Sequence, residues 1–154
     1  ALKPMTGTKS MMLFDETGKR SVAMIEPTAE ISLPVGQYRL VSYELERADE
    51  KGAIWTATAM GTWEGPKVEV AEKGKAEMPF GEPFVPTVGI ASRGGNQAAG
   101  KASYSLSFRL EGKGKELIPQ VASSGRSFGR PAAPSFVILK EDGEIAGKGV
   151  FEYG

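Results

Sequence analysis

The residues of this sequence that could do chemistry are its 19 Asp and Glu residues and its Ser and Lys residues, because the chain contains no His and no Cys. Those absences remove the commonest general base, the thiol nucleophile and the usual ligand sets of zinc, copper, haem and iron–sulfur sites. Two carboxyl groups that face one cleft can still hydrolyse a glycoside. A carboxylate-based hydrolase, with Glu44 or Glu46 opposite another carboxyl, is therefore a third hypothesis for the function.

Three acidic clusters fall where turns are predicted, at Asp15–Glu16, Asp49–Glu50 and Glu141–Glu144. Calcium prefers several carboxylate and carbonyl oxygens, but no cluster has the alternating ligand spacing of a helix–loop–helix calcium site. We therefore expect solvated hairpin turns, in which Asp bonds its own backbone, and neither a metal nor another cofactor. The sequence also contains no Ser-x-x-Lys pair. We expect that the chain is not an enzyme.

A loop predicted over Val121–Pro134 places two cations beside an aromatic ring, at Arg126, Phe128 and Arg130. The segment has no hydrophobic periodicity, and loops on a rigid sandwich are where binding usually resides. Such a loop could dock an anionic glycan, a carboxylate or a partner chain. A plain crossover between two sheets is the alternative interpretation, and both stay open.

Trp55, Trp63 and Tyr43 are the aromatic candidates for binding, because exposed rings on a flat sheet stack on sugars and anchor protein interfaces. Strand alternation puts Trp55 on one face with Ala57 and Ala59. That pattern fits a core tryptophan packed over alanines as well as an exposed one. Trp63 is followed by Glu-Gly-Pro, a turn sequence, and we expect it to be partly exposed.

Charge and hydropathy bear on the partners and the location of the chain. The 19 basic and 19 acidic residues are interspersed, so no broad positive field is present and nucleic acid is not an expected partner. No apolar run approaches the roughly 20 residues of a spanning helix, and we expect no transmembrane segment. The sequence begins at Ala1, as after signal-peptide cleavage or after trimming. We expect an extracytoplasmic location: periplasmic, secreted or at the cell surface.

The elements that must position these residues are predicted to be strands. Over Lys101–Glu111, apolar residues from Ala102 to Leu110 alternate with polar ones, which is typical of a half-buried antiparallel strand. Short runs of similar character recur between Gly, Pro, Asp and Asn turns, and no stretch shows helical spacing. The further strands that we predict are Ser10–Phe14, Ser21–Ile25, Gln37–Glu46, Ala53–Thr62, Lys67–Ala71, Phe84–Ser92, Ser135–Lys140 and Lys148–Tyr153.

The chain could form one antiparallel β-sandwich or two in tandem. Met11–Ile25 and Phe136–Phe151 repeat the same order of apolar strand, acidic turn with Gly, and strand. Tandem modules would explain this echo, although any two hairpins with Asp/Gly turns look alike. The charged, Gly- and Pro-containing segment Ala71–Pro83 is the best candidate boundary. We predict two small immunoglobulin-like or transthyretin-like sandwiches, over residues 1–75 and 76–154, with one sandwich over residues 1–154 as the alternative.

The segment Leu13–Leu45 ends in LPVGQYRLVSYEL, and it resembles bacterial transthyretin-like, or carboxypeptidase-regulatory-like, sandwich domains. In such domains an Asp/Gly hairpin is followed by a Leu-Pro-x-Gly-x-Tyr element, which here would be Leu33, Pro34, Gly36 and Tyr38. The resemblance implies a Gly turn into a strand whose Tyr packs inward. It also implies an extracytoplasmic accessory module rather than a catalyst.

These observations favour a noncatalytic β-sandwich module that acts in protein–protein contact, assembly or adhesion. Sheet edges are the expected contact surfaces, because their unpaired backbone groups invite a strand from a partner or from a second copy. A carbohydrate-binding module that uses Trp55, Trp63 and Tyr43 is the alternative.

Overall fold

The computed structural model describes residues 1–17, 19–94, 103–123 and 131–152, without the side chains of Ser92 and Arg93. The described residues form ten strands and no helix. Its strands are β1 Thr8–Asp15, β2 Ser21–Ile25, β3 Gly36–Ala48, β4 Ile54–Met60, β5 Lys67–Val70, β6 Val85–Gly94, β7 Ser103–Glu111, β8 Leu117–Ser123, β9 Ser135–Leu139 and β10 Ile145–Val150. The predicted all-β, antiparallel fold class is confirmed.

The strands form two antiparallel sheets. The larger has eight strands in the order β2-β1-β3-β4-β8-β7-β6, with β5 paired to β3 beside this path. The smaller sheet is the hairpin β9–β10. Short turns join β1 to β2, β3 to β4 and β9 to β10, as the Asp- and Gly-containing segments predict.

A bulge in β3 sets which residues of this long strand face the core. Met12 lies opposite Ser42 and Leu13 opposite Leu40, so Val41 is the extra residue, and its carbonyl accepts a hydrogen bond from Gly61. Because of this extra residue, Leu40 and Tyr43 both point to the buried side although they are three positions apart. The bulge therefore reverses which residues in the second half of β3 face the core.

Strand β8 was not predicted from the sequence, and Pro119 in its middle is the reason. A proline cannot donate to the hydrogen-bond ladder and is confined to edges and bulges of sheets. Thr58 pairs with Gln120 and Met60 with Leu117, so Ile118 and Pro119 together lie opposite one residue of β4. The proline occupies an irregularity in the ladder, where the missing N–H is tolerated.

Two compact units are formed by the chain, one by residues 1–87 with 109–130 and the other by residues 88–108 with 131–154. The segment Ala71–Pro83, expected as a boundary, lies inside the first unit. Whether the sequence comprises tandem modules divided near residue 75, and whether they are immunoglobulin-like or transthyretin-like, stays a prediction.

The first unit contains the hydrophobic core. Tyr38, Tyr43, Leu13 and Leu45 are among its largest fully buried side chains. Tyr38 is buried, and its hydroxyl donates a hydrogen bond to the carbonyl of Pro34 at 2.8 Å. The buried hydrophobic residues of the described chain are Leu2, Met11, Leu13, Met24, Tyr38, Leu40, Tyr43, Leu45, Ala57, Ala59, Val68, Val70, Met78, Phe80 and Ile118.

No helix among the described residues has the length and apolar character needed to cross a membrane.

Candidate functional site

One face of the β9–β10 hairpin exposes aliphatic side chains. Val137, Leu139, Ile145 and Val150 are between 56% and 65% exposed. The register places Leu139 opposite Ile145, Val137 opposite Lys148, and Ser135 opposite Val150, and cross-strand partners share a face of the sheet. The four aliphatic residues therefore form a single exposed surface with one cation, which we call the hairpin face.

Aromatic rings pack together on the opposite side of the hairpin, where Ile138 is 46% exposed. The Phe136 ring lies 5.0 Å from that of Phe151, which in turn lies 5.4 Å from that of Phe108. A Cβ atom on Gly149 would collide with the Phe136 ring, so this glycine makes room for it.

The outer edge of β9 carries backbone groups that face away from β10. The N–H of Phe151 donates to the carbonyl of Pro134 at 2.8 Å, and an antiparallel ladder alternates from there. This alternation turns the N–H and C=O groups of Ser135, Val137 and Leu139 away from β10. Within residues 131–152, β9 pairs with β10 and with no other strand.

The two strands of the hairpin differ in how their outer edges are protected. Natural sheets guard an edge with lysines, bulges or prolines. Strand β10 contains Lys148 and an irregularity between Ile145 and Gly147. Strand β9, with the sequence SFVIL, contains no charged residue and no irregularity. The edge of β9 is therefore the one open to an added strand.

A second surface feature surrounds Trp63, which is 82% exposed. The guanidinium carbon of Arg39 lies 5.1 Å from the centre of the indole ring, and Arg39 Nη1 donates to the Trp63 carbonyl at 2.5 Å. Glu16 accepts from Arg39 Nη2 at 2.8 Å and from Lys67 Nζ at 2.7 Å. We call Trp63, Arg39, Lys67 and Glu16 together the Trp63 shelf.

The charges of the Trp63 shelf do not balance, since one carboxylate serves two cations. The hydrogen bond from Lys67 is the largest cause that lowers the pKa of Glu16, and the charges of Lys67 and Arg39 act in the same direction. Glu16 is therefore ionised at neutral pH. With it, the shelf carries one excess positive charge beside an exposed aromatic ring.

Trp55 has a structural role at the turn between β3 and β4. It is half-buried, on the same face as the buried Ala57 and Ala59, and its Nε1 donates to Asp49 Oδ2 at 3.0 Å. Asp49 Oδ1 accepts from the N–H groups of Lys51 and Ala53, at 2.8 and 2.9 Å. These bonds lower the pKa of Asp49, that from Trp55 most strongly. The acidic pair Asp49–Glu50 thus belongs to a hairpin turn.

Tyr43 lies in the core and is only 1% exposed, so its ring is not available to a sugar. Its hydroxyl donates to Glu116 Oε1 at 2.8 Å. Burial, and then the hydrogen bond and charge of Glu116, raise the pKa of Tyr43 well above its usual value. Tyr43, Trp55 and Trp63 therefore do not share one surface.

Glu116 is a buried carboxylate that sequence reasoning missed. It is 2% exposed and accepts three hydrogen bonds, from Tyr43, from the Gly81 N–H at 2.5 Å and from the Gly114 N–H at 2.9 Å. Lys115, the residue before it, has a φ of +65°, a conformation that is uncommon for a side-chain-bearing residue. Because the three donors lie on β3, at Gly81 and in the turn before β8, Glu116 links three segments of the first unit.

Asp15 and Glu46, two further acidic residues raised by the sequence, are also engaged. Asp15 accepts from the Thr17 N–H at 2.9 Å and from Arg20 Nη2 at 2.9 Å, and Glu46 lies 3.4 Å from Lys9 Nζ. Among the described residues, no group of three Asp or Glu side chains is placed to hold a metal ion.

An open groove with a volume of 720 Å³ lies between residues 3–9 and 26–30. Both carboxylates that line it are ion-paired, Glu26 with Lys9 at 2.6 Å and Glu30 with Lys75 at 2.5 Å. The groove therefore does not place two free carboxyl groups face to face. Arg126, Phe128 and Arg130 lie outside the described residues.

Comparison with known proteins gives no match for this chain. No protein-family model matches it, and no curated protein and no solved structure matches it. The class that the structure defines is an all-β, antiparallel protein.

Proposed function

We propose that this chain is a noncatalytic β module that acts in protein–protein contact, and that its partner is a second copy of the chain paired through β9. The observation that carries the proposal is the uncharged outer edge of β9 beside the exposed hairpin face. A two-stranded hairpin is marginally stable alone, and added strands stabilise it. Exposed aliphatic clusters and open strand edges mark contact surfaces.

A second copy fits this edge because β9 is compatible with itself. In an antiparallel pair centred on Val137, each Val137 faces its equivalent, and Ser135 faces Leu139 of the other copy. No like charges face each other, since Lys140 falls opposite Pro134. The Val137 and Leu139 side chains of the two copies would pack side by side, which removes part of both hairpin faces from water.

The noncatalytic part of the proposal rests on how the carboxylates are used. With neither His nor Cys in the sequence, catalysis would have to use carboxylates or Ser and Lys side chains. Glu116, Asp15 and Asp49 are each held by two or more donors within the fold. The resemblance of residues 13–45 to transthyretin-like accessory domains supports the same class of function, and an extracytoplasmic location stays a prediction.

Charge substitution at the centre of the paired strands tests the proposal. We expect sedimentation equilibrium to show a concentration-dependent dimer for the unmodified chain. Val137→Lys and Val137→Glu should each be monomeric, because like charges would face each other across the two-fold axis. An equimolar mixture of the two variants should dimerise again, because Lys then faces Glu. This rescue excludes misfolding as the cause of the loss.

Val35→Lys provides the matched control, because Val35 is 61% exposed on the loop before β3 and is not part of the hairpin. It should leave the dimer unchanged. An unmodified chain that stays monomeric at every concentration would overturn the proposal. So would a dimer that survives Val137→Lys, or a mixture of the two charged variants that stays monomeric.

A further inference from the structure

A second binding site is indicated in the first unit, independently of self-association. We infer that the Trp63 shelf binds an acidic saccharide, a pyranose ring that carries a carboxylate. The site combines an exposed aromatic plane with a local excess of positive charge. A uronic acid unit of a polysaccharide has both complementary features, an apolar C–H face and an anionic group.

The indole ring is presented as a fixed platform. Arg39 covers one side of the ring at 5.1 Å and also holds the Trp63 carbonyl, so both the ring and its turn are tied to β3. At 82% exposure the remaining surface of the ring is open to solvent. The C–H face of a pyranose can stack there, since the face of an aromatic ring is electron-rich and apolar. A platform fixed in advance loses little entropy when a ligand binds.

The cations beside the ring select for a carboxylate. Arg39 and Lys67 are directly opposite each other on β3 and β5, a placement of like charges that is unfavourable in a sheet. Glu16 bridges both and offsets one of the two charges. Within the described residues, Glu64 forms an ion pair with neither cation, although it follows Trp63 in sequence. A carboxylate from a ligand would complete a balanced set of two cations and two anions.

Lys67 is the cation placed to reach the ligand. Its side chain is 39% exposed, against 22% for Arg39, whose donors are engaged with Trp63 and Glu16. The Lys67 ammonium has three donors, and its close contacts are to the single carboxylate of Glu16, with Gln37 Oε1 farther away at 3.4 Å. Stacking therefore depends on Trp63, and the preference for an acidic sugar depends on Lys67.

Tryptophan fluorescence gives a direct test, because the chain contains two tryptophans and Trp55→Phe leaves Trp63 as the sole indole. The Trp55→Phe chain is titrated with a galacturonic acid oligosaccharide and with a neutral galactose oligosaccharide of equal length. We expect Trp63 emission to change with both, and affinity for the acidic sugar to be about two- to five-fold higher, as for one exposed ion pair. Added salt should remove that preference.

Three variants, measured by calorimetry, separate the roles. Trp63→Ala should weaken binding of both sugars about ten-fold or more, since stacking on an aromatic ring is the common term. Lys67→Gln should abolish only the preference for the acidic sugar, and Lys140→Gln, the same charge change in the hairpin, should change neither affinity. Equal affinities for the two sugars at low salt, no binding of either, or binding that survives Trp63→Ala would each overturn the inference.

Discussion

Leu45 in the first unit and Leu139 in the second are residues of the same type that differ in burial. Each is a leucine in an antiparallel strand, yet Leu45 is 2% exposed and Leu139 is 60% exposed. In the first unit, β3 has strands on both sides and the core on one face. In the second unit, β9 has one neighbouring strand, and the described residues of that unit leave the hairpin face uncovered. A strand pattern thus specifies alternation, whereas burial depends on what covers the strand.

The largest expected effect comes from making the same substitution at each of these two leucines. Leu45→Ala should destabilise the chain by about 2–5 kcal/mol, because it removes buried methyl groups and leaves a cavity. Leu139→Ala makes the same chemical change at an exposed site and should cost less than about 0.5 kcal/mol in the monomer. Urea unfolding followed by circular dichroism measures both. Equal losses of stability would mean that the hairpin face is covered in solution.

A smaller effect is expected from the buried hydrogen-bond network of the first unit. Glu116→Gln would place an amide N–H₂ donor against a backbone N–H that now donates to the carboxylate. This substitution should lower the free energy of unfolding by about 2–3 kcal/mol. Tyr43→Phe removes one donor and should cost about 1.5–3 kcal/mol. The double variant should lose less than the sum of the two, because both changes affect one hydrogen bond.

The exposed Glu50→Gln is the control for this pair, and its free energy of unfolding should stay within about 0.5 kcal/mol of that of the unmodified chain. Additive losses for Tyr43→Phe and Glu116→Gln would contradict the hydrogen bond between them.

The smallest expected effect on the stability of the first unit is that of lowering the pH. Hydrogen bonds lower the pKa of five of its carboxyl groups: for Asp15 chiefly the Thr17 N–H, for Asp49 the Trp55 indole, and for Glu16, Glu26 and Glu30 a lysine each. A pKa that is lower in the folded state adds stability above the unfolded value, which is 3.8 for Asp and 4.5 for Glu.

This contribution is lost as the pH falls through the folded pKa values. The melting temperature should therefore fall progressively below about pH 4.5. Asp49→Asn should make that decline shallower, since it removes one of the five groups. A melting temperature that rises on acidification between about pH 5 and pH 3 would contradict the assignment.

The parts of the fold that could be predicted are the strands in which apolar and polar residues alternate along the sequence. The strand predicted over Lys101–Glu111 is observed as Ser103–Glu111, with residues 101 and 102 outside the described part of the chain. The placement of Trp55 with Ala57 and Ala59 and the exposure of Trp63 at a turn were also predictable. In each case a neighbour in sequence determines the environment.

Other features depend on partners that are far away in the chain. Strict alternation from Tyr38 would turn Tyr43 outward, and the bulge at Val41 reverses this. The bulge arises from the register between β1 and β3, which β3 alone does not specify. The Trp63 shelf likewise needs Glu16, Arg39 and Lys67 from three parts of the sequence. Its aromatic member was predictable, but its charged members were not.

The bridge between Tyr43 and Glu116 also has a consequence for how this protein can evolve. The two residues are 73 positions apart, and a change at Glu116 alone would leave the buried Tyr43 hydroxyl without its acceptor, whereas a change at Tyr43 would take one of three donors from Glu116. A Cβ on Gly112 would collide with the same carboxylate, so that glycine is tied to the pair. In any lineage that retains this fold and Tyr43, we expect Glu116 and Gly112 to be retained as well.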